Sequence, residues 1–258
     1  MHSITESATA RYFALIPAAG VGARMQADGP KQYMAIAGKP MLAHTVAAFG
    51  ASAAISHTFI VVSADDGVID GVIDNMVQRS ERDARSGGVS VLRCGGATRM
   101  DSILNGLQAM ASDTDVKDDD WILVHDAARP GLTAALIEQL IGAVGSHPVG
   151  GLLALPVVDT VKQAGTIGAP LATVPRDGMW LAQTPQMFRF KLLRAALSSA
   201  RDGGAAAAIT DDASAVEALG LSPLLVEGHP RNLKVTLPRD IAIAAMYLAA
   251  PDSTPPPL

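Results

Sequence analysis

The feature that most constrains the fold is an alternation of short apolar runs with helical patterns along the chain. Because parallel strands need crossover connections, this alternation predicts an α/β fold with a mostly parallel sheet and helices on both of its faces. The predicted strands are residues 12–17, 58–63, 89–93, 121–125, 151–157, 224–227 and 233–236. The predicted helices are residues 41–49, 98–110, 133–144, 211–219 and 239–248.

A segment at about 158–178 interrupts the alternation. Glycine and proline punctuate β-type residues there, without a helical period. The pattern fits a β-hairpin arm that projects from the sheet, of the kind that commonly pairs with another subunit, and it fits a mobile loop equally well. We expect a single domain over residues 11–250, with disordered tails at residues 1–10 and 251–258.

Composition excludes several classes of protein. The formal charge of -5 and the aromatic content of 4% argue against a nucleic-acid partner, because a protein that binds nucleic acid needs a basic face or stacking rings. No apolar stretch approaches the roughly 18 residues that a membrane span needs. The single cysteine, Cys94, rules out an intramolecular disulfide and fits a reducing compartment, so we expect a cytoplasmic protein.

The first predicted strand runs into a glycine-rich segment, PAAGVGARM. Small residues would let backbone N–H groups approach a phosphate, and these are Ala18, Ala19, Gly20 and Gly22. Met25 replaces the third glycine of a dinucleotide-binding fingerprint, and no acid follows at the end of a second strand about 20 residues on, so an NAD-dependent dehydrogenase fits poorly. A purely structural strand-to-helix turn remains an alternative.

Two cations accompany this loop. Arg24 lies within it, and Lys31 follows in the segment PKQY. Each cation alone would be read as a solvated surface charge, but together beside a glycine loop they suit a triphosphate, whose charge must be offset as the α-phosphorus reacts.

A second glycine pair lies in the segment GGATRMDS. Gly95 and Gly96 follow a predicted strand, and Arg99 and Ser102 fall in the first turn of the next helix. The segment fits a ligand-approach loop at a helix N-terminus, and it also fits a tight strand-to-helix turn.

The segment VHDAARP places Asp126 and Arg129 at the end of a buried strand. Carboxylates at this end of a parallel strand point into the ligand crevice, so Asp126 is a candidate Mg²⁺ ligand. A turn aspartate that bonds its own backbone is the alternative. Arg129 could pair with a phosphate or with Asp126, and His125 is assigned to the strand.

Together these motifs resemble the 2-C-methyl-D-erythritol 4-phosphate cytidylyltransferase family of the non-mevalonate isoprenoid pathway. The matching segments, in chain order, are PAAGVGARM, PKQY, GGATRMDS, VHDAARP, DTVK, LAQTPQMF, ITDDASAVE and NLKVT. The resemblance implies a Rossmann-like nucleotidyltransferase fold, a divalent cation such as Mg²⁺, and a homodimer whose protruding β-arms complete the partner's substrate site.

The resemblance also implies roles for individual residues. The implied nucleotide-binding residues are Ala18, Ala19, Gly20, Gly22, Gly95, Gly96 and Ser102. The implied catalytic cations are Arg24, Lys31, Arg176 and Lys234, and the implied metal ligand is Asp126. The implied substrate-binding residues are Arg129, Asp159, Thr160, Arg176, Thr184 and Lys234. Two departures leave contacts open, since Ala97 and the segment HPRN lack the acidic residue that relatives often carry at those places.

The implied reaction transfers CMP from CTP to 2-C-methyl-D-erythritol 4-phosphate and releases pyrophosphate. The attacking phosphate has a second pKa of about 6, so it needs no strong general base, in agreement with the lack of an evident catalytic histidine. Ribitol-5-phosphate cytidylyltransferase, which shares most of these motifs, is the alternative. An NAD-dependent dehydrogenase and a non-catalytic nucleotide sensor are more distant alternatives.

Overall fold

The computed structural model describes residues 10–20, 29–80, 88–166, 168–204 and 206–250. The predicted tails, apart from Ala10, lie outside these ranges. The strands are β1 Tyr12–Pro17, β2 Ala35–Ile36, β3 Lys39–Pro40, β4 Ile55–Val61, β5 Gly88–Leu92, β6 Trp121–Val124, β7 Gly150–Pro156, β8 Val161–Ala164, β9 Pro170–Val174, β10 Trp180–Arg189 and β11 Leu224–Glu227. The helices are α1 Met41–Ala51, α2 Ile69–Ser80, α3 Arg99–Asp113, α4 Ala134–Val144, α5 Phe190–Asp202, α6 Asp212–Glu217 and α7 Pro238–Ala249.

The central sheet has seven strands in the order β11-β7-β10-β6-β1-β4-β5. The pairs β1–β4, β1–β6, β4–β5 and β7–β11 are parallel, whereas β10 is antiparallel to both of its neighbours. The prediction of a mostly parallel sheet is therefore confirmed. β1 lies near the middle of the sheet, so the loop that follows it emerges between the ends of two neighbouring parallel strands.

Helices cover both faces of the sheet, because successive residues of a strand point to opposite sides. Ala14 and Ile16 of β1 pack in one apolar cluster with side chains of α1 and α4. Phe13 and Leu15 pack in the other cluster with side chains of α3, α5 and α6. A third, smaller cluster joins α7 to the loop after β6. Burial on both sides fixes the strand ends that carry the candidate site.

Local capping signals set several helix starts. Thr98 caps α3, and it forms a capping box with Asp101. Thr133 caps α4, and its side chain accepts from the Leu136 N–H. Asp211 caps α6, so this helix begins one residue later than predicted.

Several elements differ from the sequence prediction. Residues 233–236 form no strand. This segment is tied to the loop after β6, where the Val235 N–H donates to the Ala128 carbonyl at 2.8 Å. The sequence analysis assigned no element to α2, α5 or β10. A proline cannot donate to a strand ladder, and Pro185 falls where the β10–β7 register shifts between Ala182 and Gln186.

The segment at about 158–178 is a hairpin. β8 and β9 pair antiparallel and form a two-stranded sheet separate from the seven-stranded one. Apolar side chains on and beside this arm are exposed, with Leu171 69% and Val158 72% accessible. Of the two structures that fit the sequence pattern, the hairpin arm is the one observed.

Within the described ranges, no helix is both long enough and apolar enough to cross a membrane.

Candidate active site

A cleft of about 480 Å³ opens at the carboxyl ends of β1 and β6 and at the N-terminus of α3. Eight of the predicted site residues line this cleft, namely Ala18, Ala19, Gly20, Lys31, Gly96, Ser102, Asp126 and Lys234. Residues from five separate stretches of the chain therefore meet in one place. Two other predicted site residues, Gly22 and Arg24, lie outside the described residues.

Backbone and side-chain bonds fix the start of the glycine-rich loop. The Ala18 N–H donates to the Val61 carbonyl at 2.7 Å, and the Gln32 side-chain amide donates to the Ala18 carbonyl at 2.6 Å. The Ser63 hydroxyl donates to the Ala19 carbonyl at 3.2 Å. Gln32 is buried, and the sequence analysis missed its role although it lies beside Lys31 in the segment PKQY.

The second glycine pair allows two loops to pack closely. A Cβ atom at Gly95 would lie 2.4 Å from the Ala19 Cβ, and one at Gly96 would lie 2.4 Å from the Asp101 Cβ. Gly95 itself does not line the cleft, and its N–H donates to the Val62 carbonyl at 2.8 Å. Gly95 thus serves the tight turn, whereas Gly96 borders the cleft.

Asp126 is the centre of a cluster of charges. Its Oδ1 accepts from Arg99 Nε at 2.8 Å, and its Oδ2 lies 2.6 Å from Lys234 Nζ and 4.0 Å from Arg129 Nε. Burial on its own raises the pKa of this carboxyl, but the charges of Arg99, Lys234 and Arg129 outweigh burial and hold the pKa well below its usual value. Asp126 is therefore ionised at neutral pH.

The backbone of Asp126 is fixed from behind by two buried side chains. Its N–H donates to Thr184 Oγ1 at 3.1 Å, and Thr184 Oγ1 lies 2.9 Å from His125 Nδ1. His125 Nε2 faces the Arg129 carbonyl at 3.2 Å, and burial lowers the pKa of His125 to about 3. His125 is therefore neutral, with its proton on Nε2, and its Nδ1 accepts from the Thr184 hydroxyl.

Arg129 and Thr184, both predicted substrate contacts, are buried and do not line the cleft. Arg129 donates to the Asn232 carbonyl at 2.7 Å and to the Ala182 carbonyl at 3.3 Å. These bonds tie the loop after β6 to β10 and to the segment that carries Lys234.

The remaining predicted substrate contacts lie on or beside the arm. Asp159, Thr160 and Arg176 are exposed, and none of them lines the cleft. Arg176 donates to the carbonyl oxygen of Val158. A single chain does not bring these three residues to Asp126.

The donor set limits what metal the cleft could hold. Within the described part of the chain, no group of three or more His, Cys, Asp or Glu side chains is placed to bind a metal ion. Of the described residues that line the cleft, Asp126 alone carries a carboxylate, and Ala97 borders the cleft without one. Mg²⁺ usually binds one or two carboxylates and completes its shell with water and phosphate oxygens, so Asp126 fits a cation that arrives with a phosphate ligand.

Comparisons with known proteins show the family of this chain. The sequence profile of the 2-C-methyl-D-erythritol 4-phosphate cytidylyltransferase family matches residues 12–250. The enzyme of that name from Chromobacterium violaceum is 51% identical over 93% of this chain and 98% of its own length. The enzyme from Dechloromonas aromatica is 48% identical over 93% of this chain and 98% of its own length.

Solved structures give the same result. A crystal structure of 4-diphosphocytidyl-2C-methyl-D-erythritol synthase, 40% identical, superposes with a TM-score of 0.78 and covers 93% of this chain and 98% of its own. The Francisella tularensis 2-C-methyl-D-erythritol 4-phosphate cytidylyltransferase is 32% identical, with a TM-score of 0.74 over 92% of this chain and 100% of its own. The chain belongs to the 2-C-methyl-D-erythritol 4-phosphate cytidylyltransferase family.

Proposed function

We propose that this chain transfers CMP from CTP to 2-C-methyl-D-erythritol 4-phosphate, forming 4-diphosphocytidyl-2-C-methyl-D-erythritol and pyrophosphate in isoprenoid precursor biosynthesis. The observation that carries the proposal is the family match over residues 12–250, which includes every segment that lines the cleft. The chain is accordingly a nucleotidyltransferase.

CTP would be held largely by backbone. The segment Ala18 to Gly20 and the turn at Gly96 border the cleft with small side chains, so N–H groups can approach phosphate and ribose closely. Lys31 lines the same cleft, with its Nζ 3.5 Å from the Val235 carbonyl. Its charge would offset the negative charge that develops on the α-phosphate and the leaving pyrophosphate, and we assign the same task to Arg24.

The acceptor phosphate would be positioned by Lys234. This side chain is 39% accessible and reaches Asp126 Oδ2 at 2.6 Å, so it can exchange that carboxylate for an incoming phosphate. A phosphate oxygen of the acceptor then attacks the α-phosphorus of CTP. The new P–O bond forms as the bond between the α-phosphorus and the bridging oxygen breaks, and pyrophosphate leaves with that electron pair.

Asp126 is the residue that would hold Mg²⁺, with phosphate oxygens and water as the other ligands. The cation would supply charge compensation on the phosphates. Because the attacking phosphate is already ionised, the buried neutral His125 is not needed as a base.

The arm would complete the site in a homodimer. Asp159, Thr160 and Arg176 do not line the cleft of their own chain, and the arm exposes apolar side chains such as Leu171. A second copy would cover these side chains and receive the polar residues in its cleft. Light scattering should give a dimer mass, and a monomer at assay concentration would contradict this part of the proposal. We further propose a cytoplasmic location, supported by the single cysteine.

The experiment is a pyrophosphate-release assay with CTP and 2-C-methyl-D-erythritol 4-phosphate. We expect turnover in the natural protein and a fall of about 100-fold or more in Lys31→Ala, since a preorganised charge at the transition state is lost. Lys39→Ala, which removes an exposed lysine outside the cleft, is the matched control and should retain activity. Equal turnover in both variants would refute the role of Lys31, and no CTP-dependent turnover would refute the function.

A further inference from the structure

Arg99, the first residue of α3, joins two carboxylates. Its Nε–H donates to Asp126 Oδ1 at 2.8 Å, while its Nη1 and Nη2 donate to the two oxygens of Asp212 at 3.2 and 2.9 Å. Asp212 thus accepts the bidentate pair of hydrogen bonds from the two Nη atoms, and Asp126 accepts a single hydrogen bond from Nε. Sequence reasoning missed Asp212, because the segment ITDDAS reads as a helix cap.

Asp212 is built into the fold rather than free to adjust. It is 1% accessible and begins α6. The buried Gln186 of β10 accepts from the Ala213 N–H at 2.7 Å and donates to Asp211 Oδ2 at 2.8 Å. These bonds anchor the start of α6 to the central sheet, and so they fix where the Asp212 carboxylate meets Arg99.

The charge balance around Asp126 depends on this carboxylate. Among the described residues, three cations surround Asp126, namely Arg99, Lys234 and Arg129. Lys234 is partly exposed and exchangeable, whereas Arg99 and Arg129 are held by other bonds. Without Asp212, the full charge of Arg99 would fall on Asp126, and a divalent cation would have to compete with it.

We propose that Asp212 is a positioning residue that acts through Arg99. It neutralises Arg99 and accepts the hydrogen bonds of both Nη atoms, and so it preserves the capacity of Asp126 to bind a divalent cation. The inference rests on the proposed metal role of Asp126. Stability alone gives little reason to pair the half-buried Arg99 with the buried Asp212, because the desolvation of the charges offsets much of their attraction. Groups that contact a metal ligand from outside commonly change metal affinity by about 10- to 100-fold.

The test measures how strongly a metal assists CTP binding. Calorimetry gives the dissociation constant of CTP with Mn²⁺ and with EDTA, without an acceptor, and the ratio of the two is the metal enhancement. We expect Asp212→Asn to reduce the enhancement by about 10- to 100-fold. CTP affinity in EDTA should be equal or tighter in this variant, because the negative charge that neutralises Arg99 has been removed.

The matched control is Asp120→Asn. Asp120 is also a buried carboxylate paired with an arginine, Arg11 at 2.7 Å, but it precedes β6 whereas Asp126 follows this strand. It should lose stability without a change in the metal enhancement. The double variant Arg99→Gln with Asp212→Asn removes both charges and should recover most of the metal enhancement. If Asp212→Asn alone does not fold, the double variant is measured in its place.

The proposal is overturned if Asp212→Asn keeps the enhancement, or if CTP binding weakens equally with and without Mn²⁺, as general damage to the cleft would cause. It is also overturned if the double variant shows no recovery, if Asp126→Asn keeps the enhancement, or if the natural protein shows none. Failure of the natural protein to transfer CMP, with metal-assisted CTP binding intact, would instead contradict the proposed function.

Discussion

The hydroxyl of Thr184 offers a sharp test of how the loop after β6 is held. It accepts from the Asp126 N–H at 3.1 Å and donates to His125 Nδ1, 2.9 Å away, and the residue is 4% accessible. Thr184→Val replaces this hydroxyl by a methyl group of similar shape, so the change removes hydrogen bonds without opening a cavity.

The magnitude follows from the groups left without partners. In Thr184→Val, the buried Asp126 N–H and the buried His125 Nδ1 both lose their partner, and each such loss costs about 1–3 kcal/mol. We expect the free energy of unfolding to fall by about 2–6 kcal/mol. His125 cannot compensate by shifting its proton, because Nε2 must keep donating to the Arg129 carbonyl.

The assay is urea unfolding at neutral pH followed by far-UV circular dichroism, with turnover measured in parallel. Thr45→Val is the matched control, because this buried threonine makes one long bond of 3.5 Å to the Ala127 carbonyl and should lose about 1 kcal/mol or less. Turnover of Thr184→Val should fall, since the Asp126 backbone loses its anchor. A loss of stability no larger than that of Thr45→Val would refute the reasoning.

Three further predictions concern single sites. Burial lowers the pKa of His57 below its ordinary value of 6.5, so the unfolded chain takes up a proton first as the pH falls. The free energy of unfolding should therefore decrease from pH 7 towards pH 5, and it should decrease less steeply with pH in His57→Gln. An unchanged slope in His57→Gln would contradict the role of His57. Gly131→Ala would place a Cβ 1.8 Å from the Arg231 carbonyl oxygen, so its thermal midpoint should drop clearly, whereas an unchanged midpoint would show that this loop can move. Burial raises the pKa of the Cys94 thiol, so at pH 8 iodoacetamide should alkylate it more slowly in the folded protein than in the protein unfolded by urea. Equal rates would refute the effect of burial.

Sequence patterns located the parts of the site that are local in the chain. The glycine-rich loop after β1 and the carboxylate after β6 both follow apolar strands, and parallel strands bring such ends to one edge of a sheet. Ala18 and Asp126 therefore line one cleft as expected. The same patterns could not show that Gly95 serves loop packing rather than the cleft, because that depends on the approach of Ala19.

Contacts between distant segments were beyond sequence reasoning. Arg99 and Asp212 are 113 residues apart, and the tertiary fold brings them together, with Gln186 of β10 bonded to the start of α6. Lys234 reaches Asp126 although its segment forms no strand, because one backbone bond from Val235 fixes it beside the loop after β6. No periodicity in a single sequence reports a contact of this kind.

The most direct measurement of the central claim is a competition assay with product identification. The protein is incubated with CTP, Mg²⁺ and equal amounts of 2-C-methyl-D-erythritol 4-phosphate and ribitol 5-phosphate. The cytidylylated products are then separated and identified by mass spectrometry. We predict 4-diphosphocytidyl-2-C-methyl-D-erythritol as the dominant product, with stoichiometric pyrophosphate. A dominant ribitol product, or no cytidylylated product, would contradict the proposed function.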